Sequence, residues 1–215
     1  MTRRYYMIAI GLTVLALAVG MVAYPMLPDA IPSHWDLQNQ VNGYSPKWHL
    51  LVLGPGAMAG IIIIFSLLPW LSPKHFEVDS SRSTYLRMMI IMVTLLAYVY
   101  GAVLWRGLGH ALDVGRAIVG GVCLLIASLG NFMGKLRRNF YIGIRTPWAL
   151  ASERVWNATH RLAAKTFVAG GVVGLVFTLA GWTGWPVLVS MSAGALAPVV
   201  YSLVFYKQLE RHGEV

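Results

Sequence analysis

Charged side chains are scarce in this sequence, since Asp, Glu, Lys and Arg together make up only 12% of its 215 residues. A soluble globular domain carries roughly 25%, so this chain has too few charges to cover a water-exposed surface. Hydrophobic residues reach 57% and the mean hydropathy is +0.63. The composition therefore excludes an ordinary soluble domain and indicates a membrane protein, whose length suits one helix bundle rather than several domains.

Cysteine is also nearly absent, because Cys123 is the single one and lies in an apolar stretch. One cysteine allows neither an intrachain disulfide nor a cysteine-based zinc cage. His34, Asp36 and His49 are irregularly spaced, so we predict no metal site and no cofactor. Phosphate-cradling glycine loops and nucleophile motifs are missing too. These absences favour a protein that is not an enzyme, and we predict no catalytic residue.

Long stretches without Asp, Glu, Lys or Arg are what the sequence does contain. A helix needs about 20 apolar residues to cross a bilayer. The stretch 166–206 is too long for one span, and the Gly- and Pro-containing sequence 182–186 divides it with a turn. We therefore predict an all-α polytopic membrane helix bundle with six transmembrane helices, at residues 5–27, 49–70, 88–105, 117–134, 166–182 and 186–206.

The basic residues predict the orientation of these spans. With the N-terminus in the cytoplasm, only three of the 17 Lys and Arg residues fall on the outer side, namely Lys47, Arg106 and Arg116. The other 14, which include Lys74, face the cytoplasm and follow the positive-inside rule. We therefore predict that both termini are cytoplasmic, and that the net charge of +9 attracts anionic lipids and not nucleic acid.

The first informative connection is the outer segment 28–48. Pro28, Pro32 and Pro46 stiffen it, and Asn42-Gly43 is a turn sequence. Its aromatic residues suit the water–lipid interface. We predict an ordered outer loop, and two interpretations remain open: an interfacial cap, or a surface that recognises an extracellular ligand.

The second informative connection is the inner segment 135–165. Thr146 before Pro147 is a good helix start, which predicts a short amphipathic cytoplasmic helix at the membrane interface. Arg145, next to that start, could hold an anion such as a lipid phosphate or pair with Glu153. Glu153 and His160 are seven residues apart in sequence and could form an acid–base pair, although a structural role explains them as well.

Both segments resemble a known pattern. The outer segment resembles the "IPxHW/F…G…K" pattern of a bacterial domain of unknown function, and the inner one resembles "NxxxGIRTPWTLxSExVWxxTH". In this order the two resemble the SdpI family of membrane immunity proteins. The resemblance covers nearly the whole chain and is carried in the outer segment by Ile31, Pro32, His34, Trp35, Asp36, Asn42, Gly43 and Lys47. In the inner segment it is carried by Asn139, Gly143, Arg145, Thr146, Pro147, Trp148, Glu153, Trp156 and His160.

The resemblance implies a role in the bacterial cell membrane. It implies tolerance to a secreted, membrane-active peptide toxin, together with signalling to a cytoplasmic repressor. The outer segment would meet the toxin and the inner segment would report or anchor. Two alternatives remain open: a membrane enzyme or lipid-handling protein acting at the inner interface, and a small transporter.

Overall fold

Six long apolar helices cross the molecule, which confirms the predicted fold class. The computed structural model describes residues 2–36, 40–71, 82–139 and 141–214. The spans are α1 (Thr2–Ala23), α2 and α3 (His49–Leu51 and Ala57–Leu71, one continuous span), α4 (Arg82–Gly107), α5 (Val114–Met133), α7 (Glu153–Leu179) and α8 (Trp185–Arg211). Lys74 in the predicted inner connection, and residues 37–39 of the outer segment, lie outside the described residues.

The fifth span begins earlier than the sequence predicts. Residues 147–151 form the short helix α6 (Pro147–Ala151), Ser152 is extended, and α7 starts at Glu153 rather than at residue 166. The predicted interfacial helix is therefore only α6, and the residues after it belong to the spanning helix. A count of charge-free residues does not find this start, because α7 contains Arg154, Arg161 and Lys165. These side chains are exposed, and a spanning helix can carry such residues where it extends beyond the hydrocarbon layer.

Helices α5, α7 and α8 pack tightly, with α7 in contact with both of the others. Glycines make this approach close. A Cβ on Gly171 would lie 2.6 Å from the carbonyl oxygen of Cys123, and one on Gly170 would lie 2.7 Å from that of Ser190. A Cβ on Gly194 would likewise lie 2.6 Å from the carbonyl oxygen of Thr166. Small residues allow helix backbones to approach in a membrane, so this trio is one rigid unit.

The other two spans pack against α4, which contacts α1, α3 and α5. The second span contains a π-helical turn, Val52–Gly56, with Pro55 inside it. The ring of Tyr100 on α4 lies against Gly54 and its hydroxyl lies against Gly20 of α1, where a Cβ would overlap it. Tyr100 therefore joins α1, α4 and the second span at their outer ends.

The outer segment forms an antiparallel hairpin, β1 (Ala30–Trp35) paired with β2 (Val41–Pro46). The sequence did not predict strands here. Asn42 and Gly43 do not make the turn: they lie inside β2, where the register shifts opposite His34. At the far end of the strands, the backbone N–H of Gln40 donates to Asp36 Oδ1 at 2.8 Å. We call the hairpin side the outer side and the side with both termini the inner side.

Candidate functional site

The hairpin brings four of the predicted outer residues to one cleft. His34, Trp35, Asp36 and Asn42 line it together with Gly115 and Val119 of α5 and with Thr183 and Gly184 of the α7–α8 turn. The cleft has a volume of about 490 Å³. Concave sites with a few convergent polar groups are the usual form of a binding site. We call it the outer cleft.

The hairpin holds these side chains in place through its own polar contacts. His34 Nδ1 donates to Asn42 Oδ1 across the strands. Gly43 faces His34, and a Cβ there would lie only 2.9 Å from the His34 Cβ. The rim of the outer cleft therefore requires a residue without a side chain at 43, which explains why Gly43 follows Asn42.

Lys47 fastens the base of the hairpin and does not reach the outer cleft. Its Nζ forms a salt bridge of 3.0 Å with Asp29, donates to the carbonyl oxygen of Leu27 at 3.3 Å and lies 5.1 Å from the centre of the Tyr24 ring. Ile31 is buried beneath the hairpin, and Pro32 pairs with Tyr44. These three predicted site residues therefore support the site rather than line the cleft.

Arg116 at the edge of the outer cleft joins α5 to α7. Its Nε donates to the carbonyl oxygen of Thr178 at 2.7 Å, and its Nη2 donates to that of Leu179. These carbonyls are at the C-terminal end of α7, where a helix leaves acceptors unsatisfied and favours a cation. Arg116 thus positions the α7–α8 turn that forms one wall of the cleft.

We expect Arg116→Leu to lower the stability by roughly 1–3 kcal/mol, because it removes hydrogen bonds from a charged donor to two carbonyls. Thermal unfolding of the purified protein in detergent measures the change. Arg106→Leu is the matched control, since Arg106 is exposed at the outer end of α4. Equal melting temperatures for the two variants would show that Arg116 does not hold the turn.

On the inner side, Asn139 organises the inner loop, which we define as residues 134–146. Its Nδ2 donates to the carbonyl oxygens of Arg137 and Ile142, both at 3.0 Å. Its Oδ1 accepts the N–H of Tyr141 at 2.9 Å and that of Ile142 at 2.7 Å. The side chain is 5% exposed, so these contacts satisfy a buried amide.

His160 and Trp156 hold the second part of the inner loop. His160 Nε2 accepts the backbone N–H of Ile144 at 3.0 Å, so its Nδ1 donates to the carbonyl oxygen of Trp156 at 2.8 Å. The Trp156 ring stacks on His160 at 4.0 Å and donates to the carbonyl oxygen of Leu136 at 2.8 Å. Gly143, at φ +110°, passes directly over the imidazole.

Further contacts connect the inner loop to three other helices. Thr146 caps α6 and its hydroxyl lies 2.9 Å from that of Ser202 on α8. Arg138 donates to the carbonyl oxygen of Leu150 at 3.1 Å. Tyr141 donates to the carbonyl oxygen of Leu71 at the end of α3. The inner loop therefore fastens the inner ends of α3, α6, α7 and α8 together.

The structure separates the residues of the acid–base hypothesis. His160 is 1% exposed with both ring nitrogens hydrogen-bonded, whereas Glu153 is exposed at the start of α7. Arg145 is also exposed, and no salt bridge between it and Glu153 occurs in the described part of the chain. Trp148 is half-buried against the core, behind Pro147 at the first turn of α6. His160 is thus a structural residue of the inner loop.

Several residues of these sites were not predicted. Thr183, Gly184, Gly115 and Arg116 come from distant parts of the chain, and Ser202 is equally distant from Thr146. Arg116 had one usable signal, because it is one of only three basic residues on the predicted outer side. The others carry no local pattern and become visible only when the helices are packed.

Two family models and one curated protein match this chain. Residues 135–202 match the SdpI/YfhL protein family, and residues 11–59 match a domain of unknown function, DUF1648. The chain is 26% identical over 209 residues to "Immunity protein SdpI" of Bacillus subtilis (strain 168), covering 94% of this chain and 96% of that protein. No solved structure matches the chain. The two family matches and the near full-length similarity confirm that this multi-pass membrane protein resembles the SdpI family.

Proposed function

We propose that the protein gives its cell tolerance to a secreted, membrane-active peptide, and that the outer cleft binds this peptide. The observation that carries the proposal is the convergence of His34, Trp35, Asp36 and Asn42 with the α7–α8 turn on one cleft. The name of the Bacillus subtilis relative, an immunity protein, supports it. A secreted peptide would reach the protein from the outer side, where this cleft lies.

The chemistry of the outer cleft suits an amphipathic peptide. Trp35 offers an apolar ring with an N–H donor, a combination that is enriched at binding surfaces. Asp36 adds a carboxylate, and Thr183 adds a hydroxyl from the opposite wall. Polar backbone and side-chain groups of a peptide would find partners here, while the lipid around the helices accommodates its apolar part.

We expect expression of the wild-type protein in a sensitive bacterium to raise survival under an Sdp-type toxin. Trp35→Ala and Asp36→Asn should reduce that survival, because each removes a group that lines the outer cleft. Survival curves at equal protein abundance in the membrane measure the effect. Trp48→Ala is the matched control, since Trp48 is an exposed outer tryptophan that is not among the residues lining the cleft.

Two results would contradict this proposal. Wild-type protein that gives no protection against any Sdp-type toxin would remove its basis. Equal protection by Trp35→Ala and by Trp48→Ala would place peptide recognition outside the outer cleft.

We further propose that both termini lie in the cytoplasm, so that the hairpin faces outward. The distribution of Lys and Arg supports this orientation. Reporter fusions after residue 214 should be active only in the cytoplasm, and an epitope inserted at 40 should be reached from outside intact cells. A C-terminal reporter that is active outside would reverse the orientation.

The exposed cations Arg137, Arg145, Arg161 and Lys165 at the inner side support attraction to anionic lipid headgroups. A cytoplasmic repressor as partner stays a prediction from the resemblance. The enzyme alternative loses its acid–base pair, because Glu153 and His160 lie in different environments.

A further inference from the structure

A second cavity lies under the hairpin, next to the outer cleft. Ile31, Leu50, Val99, Val103, Ile118 and the Tyr100 ring are among the residues that line it. Its volume is about 150 Å³. We call it the hairpin cavity.

Trp35 lines both the outer cleft and the hairpin cavity. The Trp35 side chain is half-buried at the tip of β1, where the strand register shifts. It therefore borders both spaces.

The two spaces differ in chemistry. The outer cleft carries an imidazole, a carboxylate, an amide and a hydroxyl, from His34, Asp36, Asn42 and Thr183. The hairpin cavity is lined mostly by apolar side chains from β1, the second span, α4 and α5, and Ser33, Ser45 and His49 are its polar lining residues. A ligand that fills both must have a polar part and, directly attached to it, a compact apolar part.

We propose that a peptide bound in the outer cleft inserts one large apolar side chain past Trp35 into the hairpin cavity. This inference rests on the function proposed above and names the chemistry of its ligand: an amphipathic peptide with an aromatic or aliphatic anchor residue.

The size and lining of the cavity support this occupant. A mostly apolar cavity of about 150 Å³ is large enough for a guest the size of benzene, which is the size of a phenylalanine ring. Burying a large apolar side chain there stabilises the complex more than leaving it at the interface. A central apolar anchor surrounded by polar contacts is the usual arrangement of a peptide-binding hot spot.

The first test fills the hairpin cavity without changing the outer cleft. Val99→Trp places a large ring inside it, while the control Val189→Trp places the same ring on an exposed position of α8. Binding of a fluorescently labelled Sdp-type toxin to protein in nanodiscs is titrated. We expect Val99→Trp to weaken binding about tenfold or more, the factor that one lost apolar anchor produces, and Val189→Trp to bind like the wild type.

The outcomes separate the two proposals. Wild-type protein that does not bind the toxin overturns the proposed function and the anchor together. Wild-type and Val99→Trp proteins that bind with equal affinity leave the outer cleft as the binding site and overturn only the anchor in the hairpin cavity.

A second test does not depend on affinity. Val99→Cys puts a thiol into the hairpin cavity, and the buried Cys123 of the wild type gives the background reaction with N-ethylmaleimide. We expect the toxin to slow labelling of Val99→Cys, and Trp35→Ala to speed it in the absence of toxin. Labelling that neither the toxin nor Trp35→Ala changes would mean that lipid reaches the cavity directly, and the anchor proposal would be wrong.

Discussion

Gly143→Ala is expected to destabilise the protein by roughly 2–6 kcal/mol. The added methyl group would overlap His160 Nε2, and the φ of +110° strains any residue other than glycine. Backbone strain of this kind costs about 1–3 kcal/mol, and forcing an atom into a packed site costs a similar amount. Thermal unfolding in detergent, together with abundance in the membrane, measures the loss.

Gly109→Ala is the matched control, because Gly109 has a φ of +91° but nothing within 4 Å of its added Cβ. It should show the strain alone and lose about half as much stability. The double variant Gly143→Ala, His160→Ala should lose less stability than the sum of the two single losses, because the steric overlap is absent once the imidazole is removed. If Gly143→Ala and Gly109→Ala had equal melting temperatures, the close contact between Gly143 and His160 would contribute nothing to the loss of stability.

The second large effect is expected for Asn139→Ala, at roughly 2–5 kcal/mol. The variant removes four hydrogen bonds to the main chain and leaves their partners poorly satisfied. Each such bond contributes about 0.5–1.5 kcal/mol, and a buried group without a partner costs more. Unfolding curves measure the stability, and limited proteolysis should cut the inner loop first.

Asn157→Ala is the control, since Asn157 is exposed on α7 close to the same side of the membrane. It should change stability by no more than about 0.5 kcal/mol. Asn139→Asp gives a second comparison: it keeps the acceptors but places a carboxylate against the carbonyls of Arg137 and Ile142. Stability in Asn139→Asp equal to that of the wild type would contradict the assigned amide orientation.

The membrane spans were predictable because hydrophobic length and charge are properties of consecutive residues. The start of the fifth span was not, since α7 begins at Glu153 and includes the exposed charged residues that follow it. The hairpin was missed for a different reason. Pro32, Pro46 and Gly43 disfavour strands locally, and only pairing across the outer segment, such as Pro32 with Tyr44, makes them part of a sheet.

The candidate sites were predictable to different degrees. The resemblance identified Asn139, Gly143, Trp156 and His160 as a group. It did not show that His160 accepts a hydrogen bond from a backbone N–H and does not transfer a proton in a reaction. The outer cleft needed two further walls, from Gly115 and from the α7–α8 turn. Their positions depend on helix packing, and no spacing within either segment contains that information.

The inner loop is held in place through its main chain. Asn139, Trp156 and His160 bind carbonyl and N–H groups of Leu136, Arg137, Ile142 and Ile144 and do not bind their side chains. Nearly every residue type supplies a backbone carbonyl and N–H group, so the path of the loop depends on very few of its side chains. Most of the other residues of the inner loop can therefore be substituted while the few side chains that hold its main chain stay the same. For the same reason, the exposed surface of the inner loop can change in sequence without a change of fold.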